Sequence, residues 1–134
     1  MKKQAGIWID GTKAVCVSFV NGHKHIYEIP AEIENRVYHG DEGDSGTFMG
    51  DQHVSSERKF TERKKQQENK FFNAVLDRIK DMDELCIMGP AQMKSKLAQK
   101  IVIDEPGILI RSVEPAEAMS QNQLVHRFKE FFNR

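Results

Sequence analysis

The sequence predicts an α/β domain in which helices cover both faces of a mixed sheet, a three-layer arrangement. Two turn signals, Asp10-Gly11 and Asn21-Gly22, separate three short apolar runs near the N-terminus, which is typical of an antiparallel meander. Beyond residue 55, helical and strand patterns alternate, which requires parallel strands joined by crossover helices. The chain of 134 residues is expected to form a single domain, 1–134, with enough apolar material for a core.

The first three strands are predicted from apolar, β-branched and aromatic runs at 5–9, 14–20 and 25–29. Pro30 ends the third strand, because proline lacks a donor for the ladder. A fourth, edge strand is predicted at 33–38. Residues 39–55 contain four glycines and no periodicity, so they are predicted to form a long loop. Such a loop in a compact domain is usually functional or disordered.

Three helices are predicted in the rest of the chain. Ser55 and Ser56 are good N-cap residues for the first helix, which continues to about residue 80. Its apolar stripe is confined to the second half, so that half is expected to pack on the sheet and the polar first half to project. Pro90 is expected to open the second helix, and a capping box at 120–123 the third. Short strands are predicted between the helices at 85–88 and 108–110.

Charge is balanced over the whole chain but uneven along it. The chain has 20 basic and 20 acidic residues, which removes any global argument for binding nucleic acid. Residues 39–52 hold four acidic residues and no Lys or Arg, whereas residues 53–80 hold eight basic residues and four acidic ones. An acidic loop therefore precedes a basic helix, and this is where function is expected.

Composition excludes several classes of protein. No apolar run approaches the roughly 20 residues that a membrane span needs, and the N-terminus is too short and polar for a signal peptide. A cytoplasmic protein without membrane contact is therefore expected. Cys16 and Cys86 lie inside apolar runs without a nearby histidine at ligand spacing, so reduced, buried thiols are expected. No metal and no cofactor is predicted.

Three stretches together resemble the middle domain of the archaeal and eukaryotic class I release factors and its bacterial relatives. They are the strand and turn 6–14, the Gly-rich loop with Gln52 that feeds the basic helix, and the strand–Gly–helix step 87–94. The order and spacing of these stretches carry the resemblance, which covers most of the chain. It implies a ribonuclease H-like fold of the translational-machinery type and a partner in translation, the ribosome or tRNA.

The resemblance also implies a candidate catalytic loop. In that family a Gly-Gly-Gln tripeptide helps water attack the peptidyl-tRNA ester, and the nearest match here is Gly50-Asp51-Gln52. Gly50 and Gln52 are therefore the candidate catalytic residues, and a weak peptidyl-tRNA hydrolase is the implied enzyme. Asp51 replaces the second glycine, tolerates positive φ less well than glycine and adds a negative charge. A degenerate catalytic loop is the expectation, and an exposed loop amide is the favoured interpretation of Gln52.

The basic helix provides the candidate contacts to RNA phosphates, which are Arg58, Lys59, Arg63, Lys64 and Lys65. A solvated helix face explains the same residues, since glutamates are interspersed among them. Phe60 is the single aromatic residue there, so base stacking is not indicated. The alternative function is a protein–protein interaction module that uses loop 39–55 and has no RNA function.

Two further motifs allow two interpretations each. Asp10 fits a metal-binding carboxylate, but such sites need several converging carboxylates, and its place as a turn residue before Gly11 explains it without a metal. Gly89-Pro90, with Lys94 near, fits a phosphate cradle at a helix start, although the proline removes one amide. The structural interpretation is favoured for both.

Overall fold

The structure is a computed structural model that describes residues 2–33 and 50–133, with residues 50–57 described by their backbone alone. It contains five strands and three helices in these residues. In chain order they are β1 (Gln4–Ile9), β2 (Lys13–Val20), β3 (His23–Pro30), α1 (Gly50–Ile79), β4 (Glu84–Gly89), α2 (Met93–Asp104), β5 (Leu109–Pro115) and α3 (Gln121–Phe132).

The predicted antiparallel meander is confirmed for β1, β2 and β3. Asn21 (φ 53°) and Gly22 (φ 78°) are both left-handed. This is the geometry that a two-residue type I′ hairpin requires, and it explains why Asn-Gly stands there. The predicted edge strand at 33–38 lies, beyond Ile33, outside the described residues.

The first hairpin turn is built differently from the second. Gly11 does not have a positive φ. One carboxylate oxygen of Asp10 instead accepts hydrogen bonds from the Thr12 amide at 2.8 Å, the Thr12 hydroxyl at 2.8 Å and the Lys13 amide at 2.9 Å. The sequence therefore predicts the position of this turn correctly, but an Asx-type side-chain cap stabilises it rather than a left-handed glycine.

The five strands form one mixed sheet in the order β3-β2-β1-β4-β5. β4 is parallel to both β1 and β5, so α1 and α2 serve as the crossover connections. A register shift interrupts the β4–β5 ladder between Leu85 and Cys86. The predicted α/β class with a mixed sheet and covering helices is confirmed, and the ribonuclease H-like detail stays a prediction.

Helices cover both faces of the sheet, which gives three layers. Ile7 and Ile9 of β1 point to one face, where α1 and α2 bury Val75 and Leu97 against them. Trp8 points to the other face and packs against α3. β1 is thus buried from both sides, which explains its continuous apolar run rather than an alternating one.

The α3 face has a core of its own, in which Trp8, Met88 and Phe128 are buried. The indole N–H of Trp8 donates to the carbonyl of Ala116 at 3.3 Å and that of Glu117 at 3.2 Å, so the only polar atom of this ring is satisfied. Gly6 lies beneath the Phe128 ring, where a Cβ atom would come within 2.1 Å of it.

Element boundaries differ from the prediction in two helices. α1 begins at Gly50 rather than at Ser55–Ser56. No Gly or Pro follows Gly50 within the helix, so a helix that packing has already nucleated extends through its polar first turns at little cost. α2 begins at Met93 rather than at Pro90, because Ala91 adopts φ 53°, which no right-handed helix accommodates.

The predicted capping box of α3 is confirmed. The Gln123 amide donates to the Ser120 hydroxyl at 3.2 Å, and the Ser120 amide donates to the Gln123 side chain at 2.9 Å. The predicted strand 108–110 is longer in the structure and extends over Leu109–Pro115.

Candidate nucleic-acid interface

α1 is much longer than the sheet that it covers. Its 30 residues span about 45 Å, whereas the strands have only six to eight residues. α1 and α2 both run opposite to β4, since a four-residue link joins α1 to the start of β4 and α2 leaves its end. The 18 residues of α1 that precede Glu68 therefore extend toward and past the N-terminus of α2, over about 27 Å.

An ion pair fixes where α1 leaves the support of α2. The ammonium of Lys96, in the first turns of α2, lies 3.5 Å from a carboxylate oxygen of Glu68. The Glu68 side chain is only 15% exposed, so this pair is partly shielded from water. It joins the two helices at the C-terminal side of residues 58–67.

The first half of α1 is not exposed all round, as the sequence suggests it would be. Phe60 is only 8% exposed, and Lys64, Gln67 and Glu68 are half-buried. These positions continue the buried stripe that Phe71 begins, because they recur at helical spacing on the same face. The expectation of a freely projecting half is therefore wrong for the described residues 58–70, and Phe60 is not available to stack on a base.

One flank of the same segment, about 110° around the helix from the buried stripe, carries a continuous basic stripe. Lys59, Arg63, Gln66 and Lys70 follow one another at i, i+4, i+7 and i+11, and all four are exposed. Three cations and one amide thus occupy one line about 16 Å long, without an acidic residue in it. We call Lys59, Arg63 and Lys70 the basic stripe.

The five predicted RNA contacts therefore divide among different faces of α1. Lys59 and Arg63 lie in the basic stripe, whereas Arg58 and Lys65 are exposed on the other flank of the helix and Lys64 is half-buried. Lys70 belongs to the stripe, but the sequence analysis did not select it. Counting helical positions from Lys59 would have found it, since it lies three turns further on the same face.

The candidate catalytic residues lie at the start of α1. Gly50 and Gln52 have a helical backbone within its first turn. The prediction of an irregular loop is therefore wrong from Gly50 onward, for the reason given above. Loop residues 39–49 lie outside the described residues, and the catalytic role of Gly50 and Gln52 stays a prediction.

Asp10 stabilises the turn between β1 and β2. Burial alone would raise the pKa of its carboxyl group, but the hydrogen bonds from Thr12 and Lys13 outweigh it and the pKa is lowered. Within the described residues, no group of three or more His, Cys, Asp or Glu side chains is arranged to hold a metal ion. These observations favour the turn interpretation of Asp10.

The Gly89-Pro90 step is also explained by packing. A Cβ atom at Gly89 would lie 2.0 Å from the carbonyl oxygen of Ile9, so only glycine lets β1 and β4 approach at this point. The ammonium of Lys94 donates to the carbonyl oxygen of Ala91, within the turn that leads into α2. The cation that a phosphate would need is therefore engaged by the backbone.

The fold is found in solved structures of Pelota and of an archaeal translation termination factor. Pelota of Archaeoglobus fulgidus matches over 96% of this chain and 31% of its own, with a TM-score of 0.56 and 11% identity. Pelota of Thermoplasma acidophilum matches over 96% and 32%, with a TM-score of 0.56 and 12% identity. The archaeal translation termination factor aRF1 matches over 96% and 39%, with a TM-score of 0.56 and 8% identity.

This chain shares its fold with one part of Pelota and aRF1. It spans about a third of the length of those chains. The resemblance to a release-factor domain is thereby confirmed at the level of the fold. No known protein family matches the sequence, and no curated protein does. Among the described residues, none of the helices combines the length and the apolar character of a membrane span.

Proposed function

We propose that this protein is a cytoplasmic, translation-related protein that associates with the ribosome or tRNA through the basic stripe of α1. The observation that carries the proposal is the alignment of Lys59, Arg63 and Lys70 on one exposed helix face. The fold shared with a part of Pelota and aRF1 supports a setting in translation.

The stripe suits contact with the phosphate backbone rather than with bases. Its ammonium and guanidinium groups are spread along about 16 Å of helix, which allows several phosphates to be contacted at once. Phe60 is buried, so no aromatic side chain in residues 58–70 is free to stack on a base. Binding through the stripe is therefore independent of RNA sequence and strongly weakened by salt.

Ribosome co-sedimentation at several salt concentrations tests the proposal. The double variant Lys59→Glu with Lys70→Glu should weaken association at least about tenfold, and should reduce the slope of log affinity against log salt by about 1.4–1.8. The matched control is Arg127→Glu with Lys129→Glu, which makes the same change of charge on exposed positions of α3, on the other face of the sheet.

The control variant should sediment as the wild type does. If both double variants lose association equally, net charge rather than the stripe is responsible. If the wild-type protein stays in the supernatant at low salt, the proposal fails. A protein partner that survives nuclease treatment and is retained by the Lys59→Glu, Lys70→Glu variant would favour the interaction module at residues 39–55 instead.

The proposal assigns no turnover to Gly50-Asp51-Gln52. Peptide release from ribosomes that carry peptidyl-tRNA provides the measurement. Release by the wild-type protein that Gln52→Ala abolishes, while ribosome association is kept, would show that the hydrolytic chemistry of the tripeptide survives. Release that Gln52→Ala leaves unchanged would remove Gln52 from any catalytic role.

A further inference from the structure

The large apolar side chains that are exposed lie together at one edge of the sheet, on β5 and the neighbouring end of α2. Among the described residues they are Val102, Ile103, Leu109 and Val113, with exposed fractions of 62%, 76%, 57% and 39%. All four lie in the unit formed by the end of α2 and β5, and β5 is an edge strand. Apolar side chains grouped at an open sheet edge are typical of a contact surface.

The two edges of the sheet differ in how they are protected against pairing. Both edge strands carry a basic residue, an acidic residue and a terminal proline, which are residue types that hinder the approach of another strand; in β3 they are Lys24, Glu28 and Pro30, and β5 likewise ends at Pro115. β5 has two charged residues, and both are engaged within the chain. The Arg111 guanidinium lies 3.4 Å from the Glu84 carboxylate and over the Phe131 ring, while Glu114 accepts a hydrogen bond from Ser112.

The backbone of β5 has an unusual spacing. The amides of Leu109 and Ala116 both donate toward β4, to the carbonyls of Asp83 at 3.0 Å and Gly89 at 3.1 Å. In a regular strand, the residues whose amides donate to the same neighbouring strand are separated by an even number of positions. Leu109 and Ala116 are instead separated by an odd number. The register shift that inserts Arg111 between Ile110 and Ser112 accounts for the odd number.

As a consequence, the backbone groups of Ile110 and Val113 point away from β4, as does the carbonyl of Pro115. Ile110 and Val113 lie opposite Leu85 and Ile87, so the bulge brings them to the spacing of two residues in an ordinary strand. A second β5, run antiparallel, offers the same two positions and can satisfy both.

We propose that two copies of this chain pair through β5, antiparallel, so that Ile110 lies opposite Val113 of the second copy and the two sheets become one. Ile110 packs against the core on the α1/α2 side, and Val113 pairs in register with Ile87 of that same core. The opposed side chains are thus apolar and on one face, as cross-strand pairs require. Val102 adds apolar surface on the flanking helix.

The charges on the other face are complementary in this arrangement. Arg111 points to the α3 side, where Phe131 lies, and Glu114 pairs in register with Met88 of the α3 core. In the proposed register, Arg111 stands diagonal to Glu114 of the second copy, at about 7–8 Å, and its five N–H donors allow it to reach that carboxylate in addition to Glu84. The two-fold symmetry forms this pair twice.

Sedimentation equilibrium of the full chain over a series of concentrations tests the pairing. The wild-type protein should reach twice its monomer mass, and Val113→Lys should raise the dimer dissociation constant at least about tenfold. Val113→Pro should do the same, because it removes an N–H that β4 does not use. His25→Lys, which places the same lysine on the exposed β3 edge, should leave the dimer unchanged.

Cross-linking tests the register and needs no change of edge charge. A mixture of Ile110→Cys and Val113→Cys chains should be linked by a short bifunctional thiol reagent far faster than either variant alone, because these positions face each other only between copies. The native Cys16 and Cys86 are buried and do not interfere. A monomeric mass at every concentration would overturn the proposal. So would a Val113→Lys dimer as tight as the wild type while circular dichroism shows that the variant is folded, or equal linking of all three samples.

Discussion

The ammonium of Lys96 lies 3.5 Å from the carboxylate of Glu68, and this contact joins α2 to α1 at the base of the basic stripe. Beyond it α1 continues for 18 residues toward its N-terminus. The position of the stripe relative to the sheet therefore depends on a pair of side chains that do not belong to the stripe.

Replacing Glu68 by Gln should loosen the first half of α1 without unfolding the domain. A partly exposed ion pair contributes about 0.5–1 kcal/mol, so the free energy of unfolding should fall by no more than that. Hydrogen exchange of the amides at 58–67 should become faster, because local opening no longer has to break the pair. Asp104→Asn, which breaks the Lys100–Asp104 pair within α2, is the control and should leave these amides unchanged. Unaltered exchange in Glu68→Gln would contradict the anchoring role.

Gly6→Ala should be among the most destabilising single substitutions in β1. Its Cβ would stand 2.1–2.4 Å from three atoms of the Phe128 ring, which is fully buried and cannot move into water. Overpacking of this kind costs about 1–3 kcal/mol in the free energy of unfolding. Denaturant titration followed by the fluorescence of Trp8, the only tryptophan, measures it. Gly107→Ala, where nothing lies within 4 Å, should be nearly neutral.

A double variant distinguishes this clash from a general loss of strand propensity. Gly6→Ala combined with Phe128→Leu should be less destabilised than the sum of the two single variants, because the smaller side chain leaves room for the new methyl group. Strict additivity would show that the ring is not what excludes a Cβ at position 6.

Much of the architecture was predictable because it rests on short-range signals. Asn21-Gly22 has the two left-handed residues that its hairpin needs, and Ser120 with Gln123 forms the capping box read from the sequence. Both motifs are satisfied within four residues, so no knowledge of the tertiary structure was required. The antiparallel meander and the start of α3 follow from them.

The sequence-based predictions are wrong where tertiary contacts override local signals. Phe60 was expected on an exposed half-helix, but packing buries it, and the basic residues are thereby sorted onto different faces. The start of α1 at Gly50 and the delayed start of α2 after Ala91 depend on how each helix meets the sheet. Lys70 lies apart from the other basic residues in sequence and joins Lys59 and Arg63 only on the helical face.

The stability of the domain should depend on pH through Glu84. Its carboxylate accepts hydrogen bonds from Gln4 at 2.8 Å and Lys2 at 3.1 Å, and these lower its pKa, with a smaller contribution from Arg111. A lowered pKa in the folded state means that the stabilisation is present above the pKa of the unfolded chain, about 4.3, and is lost as the pH falls through the folded value.

Glu84→Gln should therefore flatten the acid limb of the free energy of unfolding below about pH 4.3, while it lowers stability near neutral pH. Denaturant titrations between neutral and acidic pH provide the measurement. Glu117→Gln, an exposed position after β5, should keep the wild-type slope. A slope in Glu84→Gln that equals the wild-type slope would mean that the Lys2–Gln4–Glu84 contacts do not persist in solution.

The two cysteines should react with thiol reagents only when the domain opens. Burial raises the pKa of Cys16 to about 12, and Cys86 is fully buried in the α3 core. At pH 8 the reactive thiolate of folded Cys16 is therefore a fraction on the order of 10⁻⁴. Because Cys16 lies under α1 and α2 and Cys86 under α3, the two cysteines report on opposite faces of the sheet.

Mass spectrometry of peptides from a timed labelling reaction should show both cysteines modified at one common rate, since β1 joins both helical layers into a single cooperative unit. An exposed Ser95→Cys control should be labelled at once. Earlier labelling of Cys86 would instead show that α3 detaches while the α1/α2 layer stays folded, and the sheet would then be the boundary between two units of separate stability.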